Sequence, residues 1–121
     1  MPIRVMIVDD SLFMRKMLRD LLEKEGFQVV CEASDGVEAV AKYRETRPDL
    51  ATLDIVMPNK TGIEALREIT AFDPAARVVM CSAVGQEELT LAAAQAGAKA
   101  FILKPFHPEL VVRTLREACE G

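Results

Sequence analysis

Five residues of this chain have side chains suited to chemistry on a charged group, and they directly follow apolar runs. Asp9 and Asp10 follow "VMIV", Asp54 follows "ATL", Ser82 follows "VVMC" and Lys104 follows "AFIL". Adjacent carboxylates at the mouth of a buried strand repel each other and resist desolvation. A cation relieves that cost. Mg²⁺ suits such a rim, because hard oxygen ligands hold it and it retains waters that a phosphate oxygen can replace. With Mg²⁺ and the Lys104 ammonium in place, a carboxylate could attack a phosphoryl group while the rim neutralises its charge. The Ser82 hydroxyl would offer a hydrogen bond to a phosphoryl oxygen.

Taken singly, each residue has an ordinary role. Asp10 or Ser11 would cap a helix, Asp54 would be a turn acid before Met57-Pro58, Lys104 a surface lysine and Ser82 a strand-end hydroxyl. Together, in this order and each at a strand end, they point to one site.

The elements that must position them alternate. Strand patterns cover 4–8, 28–33, 50–53, 77–81 and 100–103, and helical patterns cover 11–25, 36–46, 62–72, 86–96 and 108–119. In the first helix Met14, Met17, Leu18, Leu21 and Leu22 share one face. Gly26 and Gly97 stop helices, and Pro108 suits a first helical turn. Strict alternation with near-continuous apolar strands implies an α/β fold, a parallel sheet covered on both faces. Right-handed crossovers make it doubly wound, with ligands bound outside the carboxyl ends of the strands. If the strand order is 2-1-3-4-5, the five polar residues converge on one rim.

Composition and motifs exclude several classes. The 121 residues fit a single domain, 1–121, with half of them hydrophobic. A net charge of −4 argues against a nucleic-acid surface. No apolar stretch approaches the roughly 20 residues of a membrane span, and no signal-peptide core is present. Cys31, Cys81 and Cys119 form no metal-type pair, so they are expected to be reduced packing residues in the cytoplasm. There is no glycine-rich phosphate loop. A phosphatase of the Asp-x-Asp type would need an acid where Val56 stands, and His107, before the last helix, is expected to have no catalytic role.

The motifs "IVDD", "LDIVMP", "CSA" and "AGAKAFILKPF" resemble the receiver domain of two-component response regulators over essentially the whole chain. "VDDSLFMRKML", "CSAVGQ" and "QAGAKAFILKPF" resemble most the stand-alone chemotaxis members of that family. The resemblance implies a flavodoxin-like five-stranded sheet in the order 2-1-3-4-5. It implies phosphorylation of Asp54 by a histidine kinase of the CheA type and Mg²⁺ held by Asp10, Asp54 and the backbone carbonyl of Val56, with Asp9 acting through water. Lys104 would contact the phosphoryl group, Ser82 would move to bond it, and the Lys104-Pro105 peptide would be cis. The downstream partner would be a flagellar switch protein of the FliM type, with a phosphatase as a further partner and the protein itself a monomer. The alternative is a receiver of another two-component pathway or a phosphorelay. In either case the protein is a signalling switch that catalyses its own phosphorylation and slow dephosphorylation, not an enzyme acting on a foreign metabolite. No output domain follows Gly121 in this sequence, so signalling is expected to run through surface contact.

Two positions depart from the family's commonest pattern. Phe101 stands where many members have tyrosine, so an inward-turning aromatic switch would lack a phenolic hydroxyl. Lys60-Thr61 replace a more usual apolar-then-Asp/Asn pair before Gly62.

Overall fold

A computed structural model describes residues 2–120. Five strands, β1 (Arg4–Val8), β2 (Gln28–Ala33), β3 (Leu50–Asp54), β4 (Val78–Ser82) and β5 (Ala100–Leu103), alternate with α1 (Leu12–Lys24), α2 (Gly36–Thr46), α3 (Gly62–Phe72), α4 (Glu87–Gln95) and α5 (Pro108–Glu120). All pairings are parallel, and the sheet order is β2-β1-β3-β4-β5. Helices lie on both faces, so the flavodoxin-like expectation is met.

Successive strand side chains point to opposite faces, and the core divides accordingly. Met6, Leu53 and Met80 pack with Tyr43, Leu66, Ile69 and Ala93 from α2, α3 and α4. Val5, Ile7, Val79 and Ile102 pack with Leu18, Leu22, Val111 and Leu115 from α1 and α5. β3 and β4 are buried along their whole length, which explains their continuous apolar runs.

Local signals set the helix ends. Ser11 caps α1 through its Oγ, which accepts from the Met14 N–H at 3.2 Å. Asp35 caps α2, and Thr61 with Glu64 forms a capping box at α3. Gly26 and Gly97 follow α1 and α4 with φ of 91° and 107°, a left-handed conformation that glycine adopts at little cost. α4 has no side-chain cap and buries only Ala93.

Several expectations need adjusting. The expected β3 and β4 patterns stop one residue early: Asp54 and Ser82 are the last residues of those strands. Ser11 and Gln86 precede their helices as caps rather than opening them, and Glu25 and Ala96 are their carboxyl caps. Met17, placed on the buried stripe of α1, is 41% exposed. The face of α1 against the sheet narrows to Leu18 and Leu22, flanked by Leu21. Among the described residues, no helix is long and apolar enough to cross a membrane.

Candidate functional site

Parallel strands of one sheet end together, so β1, β3, β4 and β5 deliver their terminal residues to a common rim. Asp9 is fixed by its neighbours on every side. Its N–H donates to the Ala33 carbonyl at 3.1 Å, its Oδ1 accepts from the Ser11 N–H at 2.9 Å, and its Oδ2 accepts from Lys104 Nζ at 2.8 Å. Lys104 also reaches Asp54 Oδ2 at 3.2 Å. Asp9 and Asp54 are buried, whereas Asp10 is exposed at the rim.

The loop after Asp54 is anchored on both sides. The Ile55 N–H donates to the Cys81 carbonyl, and the Gly62 N–H returns to the Ile55 carbonyl. A Cβ at Gly62 would overlap the Asp54 carbonyl oxygen, so glycine is needed for α3 to start this close to the site. Val56 lies in this loop and is 52% exposed. Lys60 and Thr61, the departure from the family pattern, have local partners. Lys60 pairs with Glu68, and Thr61 caps α3. The Lys104-Pro105 peptide is cis, as expected.

Electrostatics differ across the rim. Burial pushes the Asp54 carboxyl above its ordinary value; the Lys104 charge pulls it back only in part, and Asp9 and Asp10 add to the rise. Burial works against the Lys104 ammonium, but the Asp9 hydrogen bond and the charges of Asp54 and Asp9 outweigh it, so its pKa lies above that of a free lysine. Burial pushes the Cys81 thiol up to about 12, which makes it a packing residue at neutral pH.

Oxygens of Asp9, Asp10 and Asp54 lie within 4.8 Å of one another. The donor set is carboxylate only, among the described residues, which suits a hard divalent ion such as Mg²⁺ rather than a thiolate- or imidazole-seeking metal. Ser82, at the end of β4, is buried, and its carbonyl accepts from the Lys104 N–H at 2.7 Å. Beside it opens a cavity of about 360 Å³ lined by Ser82, Ala83, Val84, Thr90, Phe101 and Leu103 among others. Phe101 is half-buried at its wall. All the residues singled out in the sequence thus gather at one end of the sheet, except Phe101, which stands a few residues down β5. His107 lies exposed before α5, away from these contacts.

Two residues of the site escaped the sequence reading. Arg15 Nη1 donates to the Asp9 carbonyl at 2.7 Å, and its Nε pairs with Glu32 Oε1 at 3.0 Å. Nothing in the spacing of "DDSLFMR" separates this arginine from a solvated helix residue; its partner lies on β2.

The sequence profile of the response regulator receiver domain matches residues 5–116. The chain belongs to this family. The receiver is 51% identical over 114 residues to the chemotaxis protein CheY of Thermotoga maritima, covering 94% of this chain and 95% of that protein. It is 52% identical over 114 residues to CheY of Bacillus subtilis, with the same two coverages. Its backbone matches a chain in a crystal structure of a CheX–CheY–BeF3–Mg²⁺ complex from Borrelia burgdorferi with a TM-score of 0.92. That match has 43% identity and covers 97% of this chain and 89% of that one. The receiver is a response regulator closely related to chemotaxis CheY proteins, as the motifs implied.

Proposed function

We propose that residues 1–121 act as a single receiver module that accepts a phosphoryl group on Asp54 from a histidine kinase. The observation that carries this is the contact of Lys104 Nζ with Asp54 Oδ2 inside a cluster of three carboxylates. Asp10, Asp54 and the Val56 carbonyl would hold Mg²⁺, with Asp9 linked through water. Bound there, Mg²⁺ supplies charge neutralisation for the transferring group.

The chain's own residues account for the rest. An Asp54 carboxylate oxygen attacks phosphorus, the O–P bond forms, and the P–N bond to the donor histidine breaks with its electron pair leaving on the imidazole. Burial raises the Asp54 pKa in the metal-free rim, and the Lys104 ammonium beside it favours the ionised carboxylate that attacks. Lys104, already beside Asp54, compensates a phosphoryl oxygen, and Ser82 donates its hydroxyl to another. The movement of Ser82 opens room for Phe101 to turn into the neighbouring cavity. That changes the surface formed by α4, β5 and α5, where Leu89, Leu91, Leu103 and Leu110 are exposed. A partner helix would dock on this face.

By kinship with the CheY proteins, the donor is a CheA-like kinase, the target a FliM-like flagellar switch protein, and a CheX-like protein a candidate phosphatase. The setting is cytoplasmic, and the protein acts as a monomer. The test is incubation with Mg²⁺ and acetyl phosphate. Parent protein should gain an alkali-labile, hydroxylamine-sensitive phosphoryl group, and Asp54→Asn should gain none. Equal labelling of both would reject Asp54 as acceptor. Binding of a flagellar switch peptide to beryllofluoride-treated protein tests the pathway; transfer onward to a histidine protein instead would favour a phosphorelay.

A further inference from the structure

We infer that Arg15, oriented by Glu32, is a positioning residue for the Asp9-Asp10 turn, an inference that rests on the metal reading proposed for this rim. The Asp9 carbonyl belongs to the peptide plane that leads into Asp10. Arg15 Nη1 donates to that carbonyl at 2.7 Å from the first turns of α1. Its Nε is engaged at the same time by Glu32 Oε1 at 3.0 Å, while Glu32 Oε2 accepts from Arg19 Nε at 2.7 Å. Glu32 is itself tied down, because its backbone carbonyl accepts from Lys42 Nζ at 2.5 Å. The next residue on β2, Ala33, accepts the Asp9 N–H. Both sides of the Asp9 backbone are therefore referred to the edge of β2.

Asp10 needs this support more than Asp9 does. The Asp9 carboxylate is held by Ser11 and Lys104, whereas the Asp10 side chain makes no hydrogen bond within the described residues. The direction of its carboxylate depends on the peptide plane before it. Arg15 and Glu32 are only 15% and 25% exposed at the side chain, so the pair is partly shielded from solvent and its fork geometry is restricted.

Charge and geometry make opposite predictions for Arg15, which is what makes the role testable. A guanidinium close to a divalent-cation site repels the cation, so simple removal of its charge should tighten Mg²⁺ binding. Loss of the brace should weaken it. Contacts outside the ligand shell commonly account for tenfold or more in metal affinity.

The experiment is calorimetric titration of Mg²⁺ into metal-stripped parent, Arg15→Met, Arg15→Lys, Lys16→Met and Asp10→Ala, with thermal melting of each in chelator. Arg15→Met should bind Mg²⁺ roughly tenfold more weakly. Lys16→Met should bind as the parent does, because Lys16 is an exposed cation of α1 paired only with Asp20 and touches neither Asp9 nor Glu32. Arg15→Lys keeps the charge and the stem but cannot serve Asp9 and Glu32 through one planar fork, so it too should weaken binding. It also decides the matter should Arg15→Met not fold. Parental or tighter affinity in the Arg15 variants overturns the inference, as does a lowered melting temperature with unchanged Mg²⁺ affinity. Equal weakening in Lys16→Met overturns it as well, since the effect would then come from α1 in general and not from the contacts of Arg15 with Asp9 and Glu32. A parent that binds no Mg²⁺, or an Asp10→Ala that binds it like the parent, overturns the metal reading itself.

Discussion

Lys104 Nζ stands 2.8 Å from Asp9 Oδ2 and 3.2 Å from Asp54 Oδ2, so one ammonium ties the ends of β5, β1 and β3 together. In the absence of metal this contact offsets part of the repulsion among the acids. Lys104→Ala in chelator should lose about 1–3 kcal/mol, the cost of leaving a buried charged acceptor without its donor. It should bind Mg²⁺ more tightly, because a competing cation is gone. Urea unfolding in chelator and calorimetry measure the two effects; no change in either would mean the ammonium is idle. The variant should still accept phosphoryl from acetyl phosphate but transmit the signal to a partner poorly.

Asp10 carries the opposite balance. It adds negative charge to the rim and has no bonded counter-charge among the described residues. Asp10→Ala should lose most Mg²⁺ binding yet unfold at a higher urea concentration than the parent when metal is chelated. A clear loss of stability in chelator would count against a strained rim.

The raised pKa of Asp54 predicts the sign of a pH effect. The folded protein keeps a proton on Asp54 that the unfolded chain has already released. Raising the pH from the ordinary value of 3.8 to the folded value therefore costs stability, and above the folded value the cost is complete. Asp54→Asn has no such cost. In chelator its stability should gain on the parent as pH rises from acid towards neutral and then level off. A gain that shrinks with rising pH would mean that Lys104, not burial, dominates Asp54.

The switch has an energetic bound. Moving a population from 1:99 to 99:1 takes about 5.5 kcal/mol, whereas one hydroxyl hydrogen bond contributes about 0.5–1.5 kcal/mol. Ser82 alone is too weak, so Lys104, Mg²⁺ and the partner must share the work. Ser82→Ala should keep phosphorylation and weaken phosphorylation-dependent partner binding several-fold, and Phe101→Ala should do the same through lost packing beside the cavity. Titration of a switch peptide against beryllofluoride-treated variants checks this; full affinity in both would place the switch elsewhere.

Cys81 provides a check on the core. With its thiol pushed up to about 12, only about one in ten thousand is ionised at pH 8. A thiol reagent should label Cys31 and Cys119, which are partly exposed, before Cys81, which should react only on unfolding. Early labelling of Cys81 would show that β4 opens in the native state.

Sequence alone was enough for the succession of elements, because strand and helix leave different apolar periods and their ends carry caps and glycines. It was enough for the identity of the rim residues too, since a parallel sheet places every strand's carboxyl end on one side. Tertiary structure decided what depends on lateral neighbours. Lys104 and Asp9 are 95 residues apart, and their contact depends on the sheet order that brings the ends of β1, β3, β4 and β5 to one rim. Met17 obeys the helical period yet is exposed, because how much of a helix face is covered depends on the crossing of its neighbours, not on its own spacing. Arg15 and Glu32 read as two surface charges until β2 is laid beside β1, where the pairing of Ile7 with Glu32 brings that carboxylate under α1. Periodicity records which way a side chain points, and only the packed sheet determines what it meets.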